Sequence, residues 1–449
     1  MLPSICGIFF AGCFSVQNDN RLFELSQVTH TGDYTTAFKS AQQSAAKYAK
    51  SHHRLLWRLH EGYLAYWASE PKASIEAFTH GSQDLQAYEE RPSINARDVG
   101  SQMLSLLTEP GLKPYKGSVA EGVLLHTYKG LSHAQSGDLS SALAELRQAA
   151  HRRKLAHDYF RRQIENASKK NRGLPLGWRG RPEIKKAAGD AYGEEDLLPH
   201  YLKFTNPFQI HLEAIFAAHQ GSAQNREHAR KLWSTLLAMH SEQALMKTYR
   251  NWAEQRHASP KTSPPVIHLI HERGQAPELY NDALTLTLPI NGRVTGIHLA
   301  FADLVIHQDN LPSLDVTSSS NLSLSPIASM DALVKAERKT KDMLILIEQI
   351  GSALTKAISE NQLAKKDNLL GLGLTIFNSS VNRADTRSWS TLPKSWEGTM
   401  IENQGTDFRL RMDEEEITLT PPNSRSSFLL HIKSVRGKKL TYHWIPLGN

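Results

Sequence analysis

Histidine offers this chain its widest choice of chemistry: there are 21 of them in 449 residues. The run "HLIHE", His268 to Glu272, looks like a zinc motif at first reading. The hydrolytic zinc motif places two histidines four apart on one helical face, with a glutamate between them. Here His268 and His271 are three apart, in a β-branched run that predicts a strand, so they point to opposite faces. No metal site is expected. "SHHRLLWRLH" (51–60) is a better helix, but His53 and His60 have no carboxylate at the helical spacings of three or four. The chain has no phosphate-cradling G-x-x-x-x-G-K-[ST] loop, no G-x-G-x-x-G and no G-x-S-x-G. No paired-carboxylate site can be singled out by spacing. The expectation is therefore no cofactor, no catalytic residues and no enzyme.

Cysteine is the second candidate. Cys6 and Cys13 are the only two, so the body of the chain holds neither a disulfide framework nor a thiolate metal site. Cys13 ends the apolar run "GIFFAGC", which reads either as a buried first strand or as a removable leader. Phe10-Ala11-Gly12-Cys13 resembles a bacterial lipobox: one bulky apolar residue, two small ones, then the cysteine that receives lipid. That resemblance implies a leader over 1–12 and a palmitate-type anchor on Cys13. Several acyl chains at about 0.8 kcal/mol per buried CH₂ hold a protein on a membrane durably. Phe14-Ser15 lack the aspartate associated with inner-membrane retention, so the resemblance implies an outer-membrane anchor facing the periplasm.

Two further segments carry charge that could recognise something. In "ADTRSW" (384–389), Asp385 and Arg387 have alternate spacing and face the same side of an extended segment, where they could pair. Thr386, Ser388 and Trp389 complete the cluster. Either Arg387 and Trp389 anchor a loop, or Arg387 meets a carboxylate or phosphate from outside. The net charge of +7 is concentrated in residues 151–186, which hold 12 Lys/Arg against three acids. Arg152, Arg153, Lys154, Arg161, Arg162, Lys169, Lys170, Arg179 and Arg181 could meet an anionic surface. The alternative is a solvated helix face followed by a Gly/Pro-rich loop. Nucleic acid is not an expected partner, because the basic run lacks interleaved aromatics and the lipobox points to the envelope.

Elements must position these groups. Residues 20–255 read as helices. Gly32-Asp33 and Gly137-Asp138 each precede a helix with an apolar inner face, and residues 66–82 and 218–237 are looser copies of that pattern. The pattern resembles tetratricopeptide repeats, and its irregular spacing implies only a degenerate, tetratricopeptide-like array over 13–255. "LLWRLHEGYLAYWA" (55–68) predicts a helix with Leu56, Leu59, Tyr63 and Trp67 on one side, and Asn206-Pro207 opens another. Residues 256–265, "RHASPKTSPP", read as a linker. From 266 to 449 short β-branched runs alternate with turns. Between them a helix is expected from the N-cap Ser329 to about Gln362, and 371–382 reads as a further apolar helix. The fold class is α+β, with a helical array followed by a mixed α/β domain rich in antiparallel strands.

Taken with the Gly-Asp helices, "NPF" (206–208), "HERGQAPEL" (271–279) and "MDALVKAERK" (330–339), the ADTRSW run resembles the hallmark of an uncharacterised family of bacterial TPR-like lipoproteins. The resemblance covers most of the chain. It implies an envelope protein without known enzymatic activity, whose genes tend to lie beside those of lipoproteins resembling the curli-export pore or activators of penicillin-binding proteins. The expected function is a protein-interaction scaffold in envelope assembly, with other envelope proteins or lipoproteins as partners. The alternative is an envelope enzyme acting on cell-wall glycan in an interdomain cleft.

Overall fold

The computed structural model describes residues 6–89, 114–170, 203–240, 243–260, 262–290, 293–308, 311–318, 321–341, 375–377, 384–435 and 438–448. The chain is α+β. Its helices are α1 (Cys6–Thr29), α2 (Tyr34–Lys47), α3 (Arg54–Trp67), α4 (Pro71–Glu89), α5 (Val119–Gln135), α6 (Leu139–Lys170), α7 (Pro207–His219), α8 (Ala223–Met239) and α9 (Ala244–Ala258). A further helix, α10, covers residues 330–341. No helix among the described residues is long and apolar enough to cross a membrane.

The helix starts are written locally. Asp33 accepts from the Thr36 amide at 3.0 Å and Asp138 from the Ser141 amide at 2.9 Å, each after a glycine at positive φ. Asn206 caps α7 by accepting from Phe208 N, with Pro207 in the first turn, where its missing N–H is harmless. Ser329 Oγ accepts from Ala332 N at 3.2 Å and opens α10.

The strands are β1 (Val266–Arg273), β2 (Glu278–Ile290), β3 (Arg293–Val305), β4 (Leu314–Thr317), β5 (Asn321–Ser323), β6 (Ser325–Ser329), β7 (Thr375–Phe377), β8 (Ser395–Glu402), β9 (Phe408–Met412), β10 (Glu415–Leu419), β11 (Ser427–Lys433) and β12 (Thr441–Gly448). A five-stranded sheet has the order β12-β11-β1-β8-β6. In it β1 runs parallel to β11 and antiparallel to β8. A four-stranded sheet, β10-β9-β4-β5, packs on one face through Ile267, Leu269, Leu314, Val316, Leu410, Leu430 and Ile432. The other face is covered by helices, and Leu25, Tyr63, Leu212, Ile270, Trp389 and Leu447 belong to that shared core. Successive residues of a strand alternate faces, so β1 sends Ile267 and Leu269 to the sheet below and His268, Ile270 and Glu272 to the helices.

Three expectations change, and one alternative is set aside. The GIFFAGC run is helical backbone within α1, not a first strand. The α3 segment is not one-sided: from Leu55 to Trp67 every side chain except Arg58 is buried, because the helix is packed by neighbouring helices as well as by the sheet. Residues 256–258 belong to α9, and Arg256 is buried rather than solvated in a linker. The one core continues on both sides of 259–265. Thr375–Phe377 form β7, paired parallel to Thr295–Ile297 of β3. A short apolar run cannot be assigned by period alone, and here a β-branched stretch joins an available strand edge. The rest of 371–382, and the 342–362 part of the long helix, lie outside the described residues.

Candidate functional site

The deepest cluster of reactive side chains forms where β1 ends beneath α3 and α5. Glu272 is fully buried. Its Oε2 accepts from the Tyr63 phenol at 2.5 Å, and its Oε1 from the Tyr128 phenol at 2.5 Å. From the neighbouring strand β11, Lys433 Nζ lies 3.2 Å from Oε2 and donates to Tyr63 Oη at 2.5 Å. His431 Nε2 lies 3.2 Å from Oε1, while its Nδ1 faces Tyr66 Oη at 2.6 Å. Trp396 of β8 donates to Tyr128 Oη at 3.2 Å. The pairing has a simple origin: His431 and Lys433 are two apart, so they share a face of β11, and β11 runs in register beside β1.

Burial alone would push the Glu272 carboxyl up. The Lys433 ammonium, then His431 and Tyr128, outweigh it and hold the group at about 2. Burial pulls Lys433 down, and Glu272 opposes that. Tyr63 and Tyr128 are pushed well above the ordinary phenol range, first by burial and then by the adjacent carboxylate. These phenols donate and do not ionise. The cluster is a buried polar knot that ties two helices to three strands. Removing one partner of such a pair typically costs about 3–5 kcal/mol.

A second knot involves the ADTRSW segment. Ser118 caps α5 by accepting from Glu121 N at 3.0 Å, and Glu121 Oε2 accepts from Ser118 N at 2.7 Å, a reciprocal capping box. Glu121 also accepts from the Tyr115 phenol at 2.5 Å and from Trp389 N at 2.7 Å. Glu337 of α10 accepts from the first two amides of α5 at 2.8 and 3.0 Å. Two carboxylates thus serve the positive end of one helix. Asp385 and Arg387 form a two-point ion pair at 2.8 and 2.6 Å. The Arg387 guanidinium also lies 3.4 Å from His53 Nδ1 and over the Tyr115 ring. Thr386 is exposed and Ser388 half-buried. Trp389 is buried against Tyr63, Phe78 and Tyr128. Thr391 Oγ1 reaches His60 Nδ1 at 3.0 Å, and Leu392 O accepts from Ala276 N at 2.9 Å.

The histidines of HLIHE part company. His271 faces Glu397 and Ser434 at 2.8 Å each, on the side of β1 away from the helices. His268 Nε2 meets His219 Nε2 at 3.0 Å and its Nδ1 meets Tyr249 Oη at 3.2 Å. Arg256 donates to His219 Nδ1 at 3.1 Å. These bonds fix a direction: Arg256 to His219, His219 to His268, and His268 to Tyr249, with both rings neutral. Burial holds both histidines well below 6.5; His268 and then Arg256 add to the shift of His219, and His211 and then Arg256 to that of His268. Among the described residues no group of three or more His, Cys, Asp or Glu could hold a metal ion.

One cavity borders the first knot. It has a volume of about 280 Å³ and lies between the end of α1, the turn after β1, residues 390–392 and the end of β11. His30, Gln275, His307, Thr391, Lys433 and Ser434 are among its lining residues, and no Asp or Glu is among those that are described. Glycoside hydrolysis by paired carboxylates needs two acids facing one bond, about 5–9.5 Å apart. The described residues of this wall do not supply them.

The remaining sequence candidates are dispersed. Cys13 lies in α1, and its side chain is outside the described residues. The first described side chain of α1, Asn18, is buried and accepts from Trp57 Nε1 at 2.9 Å. On α6, Arg152 and Arg153 are half-buried, and Lys154, Arg161 and Arg162 are exposed. Arg153 reaches Thr205 Oγ1 at 3.4 Å. Lys169 and Lys170 close α6, and Arg179 and Arg181 lie outside the described residues. Tyr63, Tyr128 and Lys433 were not expected at a site. The available signal was the pattern H-x-K in an otherwise apolar strand beside H-x-x-H-E in another. Comparison with family models, with curated proteins and with solved structures returns no match.

Proposed function

We propose that this chain is a lipid-anchored scaffold on the periplasmic face of the outer membrane, docking other envelope proteins or lipoproteins during envelope assembly, and that it is not an enzyme. One observation carries the non-catalytic part. Among the described residues, Glu272, Lys433, His431, Glu121, His219 and His268 are the side chains most capable of chemistry, and each is buried and partnered by a group on another element. Groups held this way fix the relative positions of helices and strands. The Phe10-Ala11-Gly12-Cys13 box supports the anchor, and the run of neighbouring helices supports a tetratricopeptide-like docking surface. The fold engages α1 from Asn18, five residues after Cys13, so an anchor there would keep the body close to the lipid surface.

Crosslinking in intact cells followed by identification of co-purifying proteins tests the reading. Recovery of envelope proteins or lipoproteins is expected. Recovery of no envelope protein, together with turnover of cell-wall glycan by the purified chain, would replace the scaffold with the enzyme.

A further inference from the structure

Helix α6 changes character along its length. Its first half is packed through Ala142, Leu143, Leu146 and Ala149, all buried. Arg153 and Phe160 continue that inner line, touching Thr205 and Phe204. On a different face Leu155, Tyr159 and Arg162 follow one another at spacings of four and three, so they form one row. Leu155 is 49% exposed and Tyr159 53% exposed, two of the few large apolar side chains described as open to solvent. Residues 151–170 hold seven Lys/Arg and two acids, Asp158 and Glu165. Both acids have a neighbour on the helix itself: Glu165 lies 3.6 Å from Arg161, and Asp158 lies 3.5 Å from His157.

We infer that this row of α6, with Lys154 on its flank, is a docking surface for an anionic phospholipid bilayer. The cations would meet headgroup phosphates. Leu155 and the Tyr159 ring would enter the boundary between headgroups and acyl chains, where a tyrosine keeps its hydroxyl wet and its ring apolar. The apolar pair decides between polyanions. Duplex nucleic acid would be satisfied by the cations alone and gives Leu155 no partner. The surface acts independently of any lipid on Cys13.

The test uses the full chain with Cys13→Ser, so no acyl anchor contributes. It is sedimented with vesicles of phosphatidylglycerol mixed with phosphatidylethanolamine, and separately with phosphatidylcholine vesicles. Binding to the anionic vesicles is expected at least tenfold above binding to phosphatidylcholine, and weaker at about 500 mM than at about 100 mM salt. Leu155→Ser with Tyr159→Ser, and separately Lys154→Glu with Arg162→Glu, should each lower it at least tenfold with unchanged circular dichroism. Equal binding to both vesicle types, or full binding by either double variant, overturns the inference. Duplex DNA that displaces the vesicles and binds the Leu155/Tyr159 variant like the parent also overturns it, in favour of a nucleic-acid surface.

Discussion

Removing the charge of Glu272 should be among the most damaging single changes open to this chain. Glu272→Gln keeps the shape but leaves the Lys433 ammonium buried, with Tyr63 Oη as its remaining close partner. An uncompensated buried charge of this kind costs about 3–5 kcal/mol. Lys433→Met should cost less, because Glu272 would keep the Tyr63 and Tyr128 phenols and His431. The two residues touch, so their effects should not add. The double variant Glu272→Gln/Lys433→Met is expected to fall short of the sum of the singles by about 1–3 kcal/mol. Equilibrium urea unfolding reads this, followed by tryptophan fluorescence, since Trp67 lies under the Lys433 ammonium and Trp396 donates to Tyr128. Singles within about 1 kcal/mol of the parent, or a double equal to their sum, would refute the view that this knot joins the helices to the sheet.

Other outcomes follow from the same geometry. Acid should destabilise the protein between pH 7 and 5 through its buried histidines. Burial holds His60 and His211 at about 3 in the folded chain. A depressed histidine contributes stability that is lost as pH falls from 6.5 towards its folded value. For each of these two the loss between pH 7 and 5 is about 2 kcal/mol. His219 and His268 act in the same direction. Glu272 adds nothing until pH falls below about 4.5, so a flat urea midpoint from pH 7 to 5 would contradict the buried neutral histidines. Trp389→Ala should cost about 3–5 kcal/mol by opening a cavity among Tyr63, Phe78 and Tyr128, whereas Asp385→Asn, at a half-exposed side chain, should cost under about 1 kcal/mol. Thermal melts separate those two outcomes. Gly398→Ala should cost about 1–3 kcal/mol, because a Cβ there would lie 2.5 Å from the Leu269 carbonyl across the β1–β8 pair. A parent-like melt would show that the strands can part.

The local signals in the chain carried most of the fold. Gly-Asp and Asn-Pro punctuation marked helix starts because capping is decided within four residues. The β-branched runs marked most of the strands for a similar reason. What could not be read was anything set by packing on two sides. The α3 segment looked one-faced because its histidine, glutamate and tyrosines are polar by type, yet Tyr63 and Tyr66 are buried by partners hundreds of residues away. Thr375–Phe377 looked helical because nothing local reveals the β3 edge that receives it. The same holds for the candidate site. "HLIHE" drew attention through its histidines, while the residue that organises the interior is its glutamate. Its partners, Tyr63, Tyr128, His431 and Lys433, come from three other elements. The alternate spacing of Asp385 and Arg387 was legible, and the two form an ion pair. The carboxylate of Glu121 that receives Trp389 N was not.

The anchor at Cys13 is where the proposed function is most exposed to test. Cells expressing the chain are fed an alkyne analogue of palmitate, and the protein is isolated from the outer-membrane fraction and developed for label. The account predicts label on the parent, carried by a peptide beginning at Cys13, and none on Cys13→Ala. An unlabelled parent that behaves like Cys13→Ala in fractionation would contradict it.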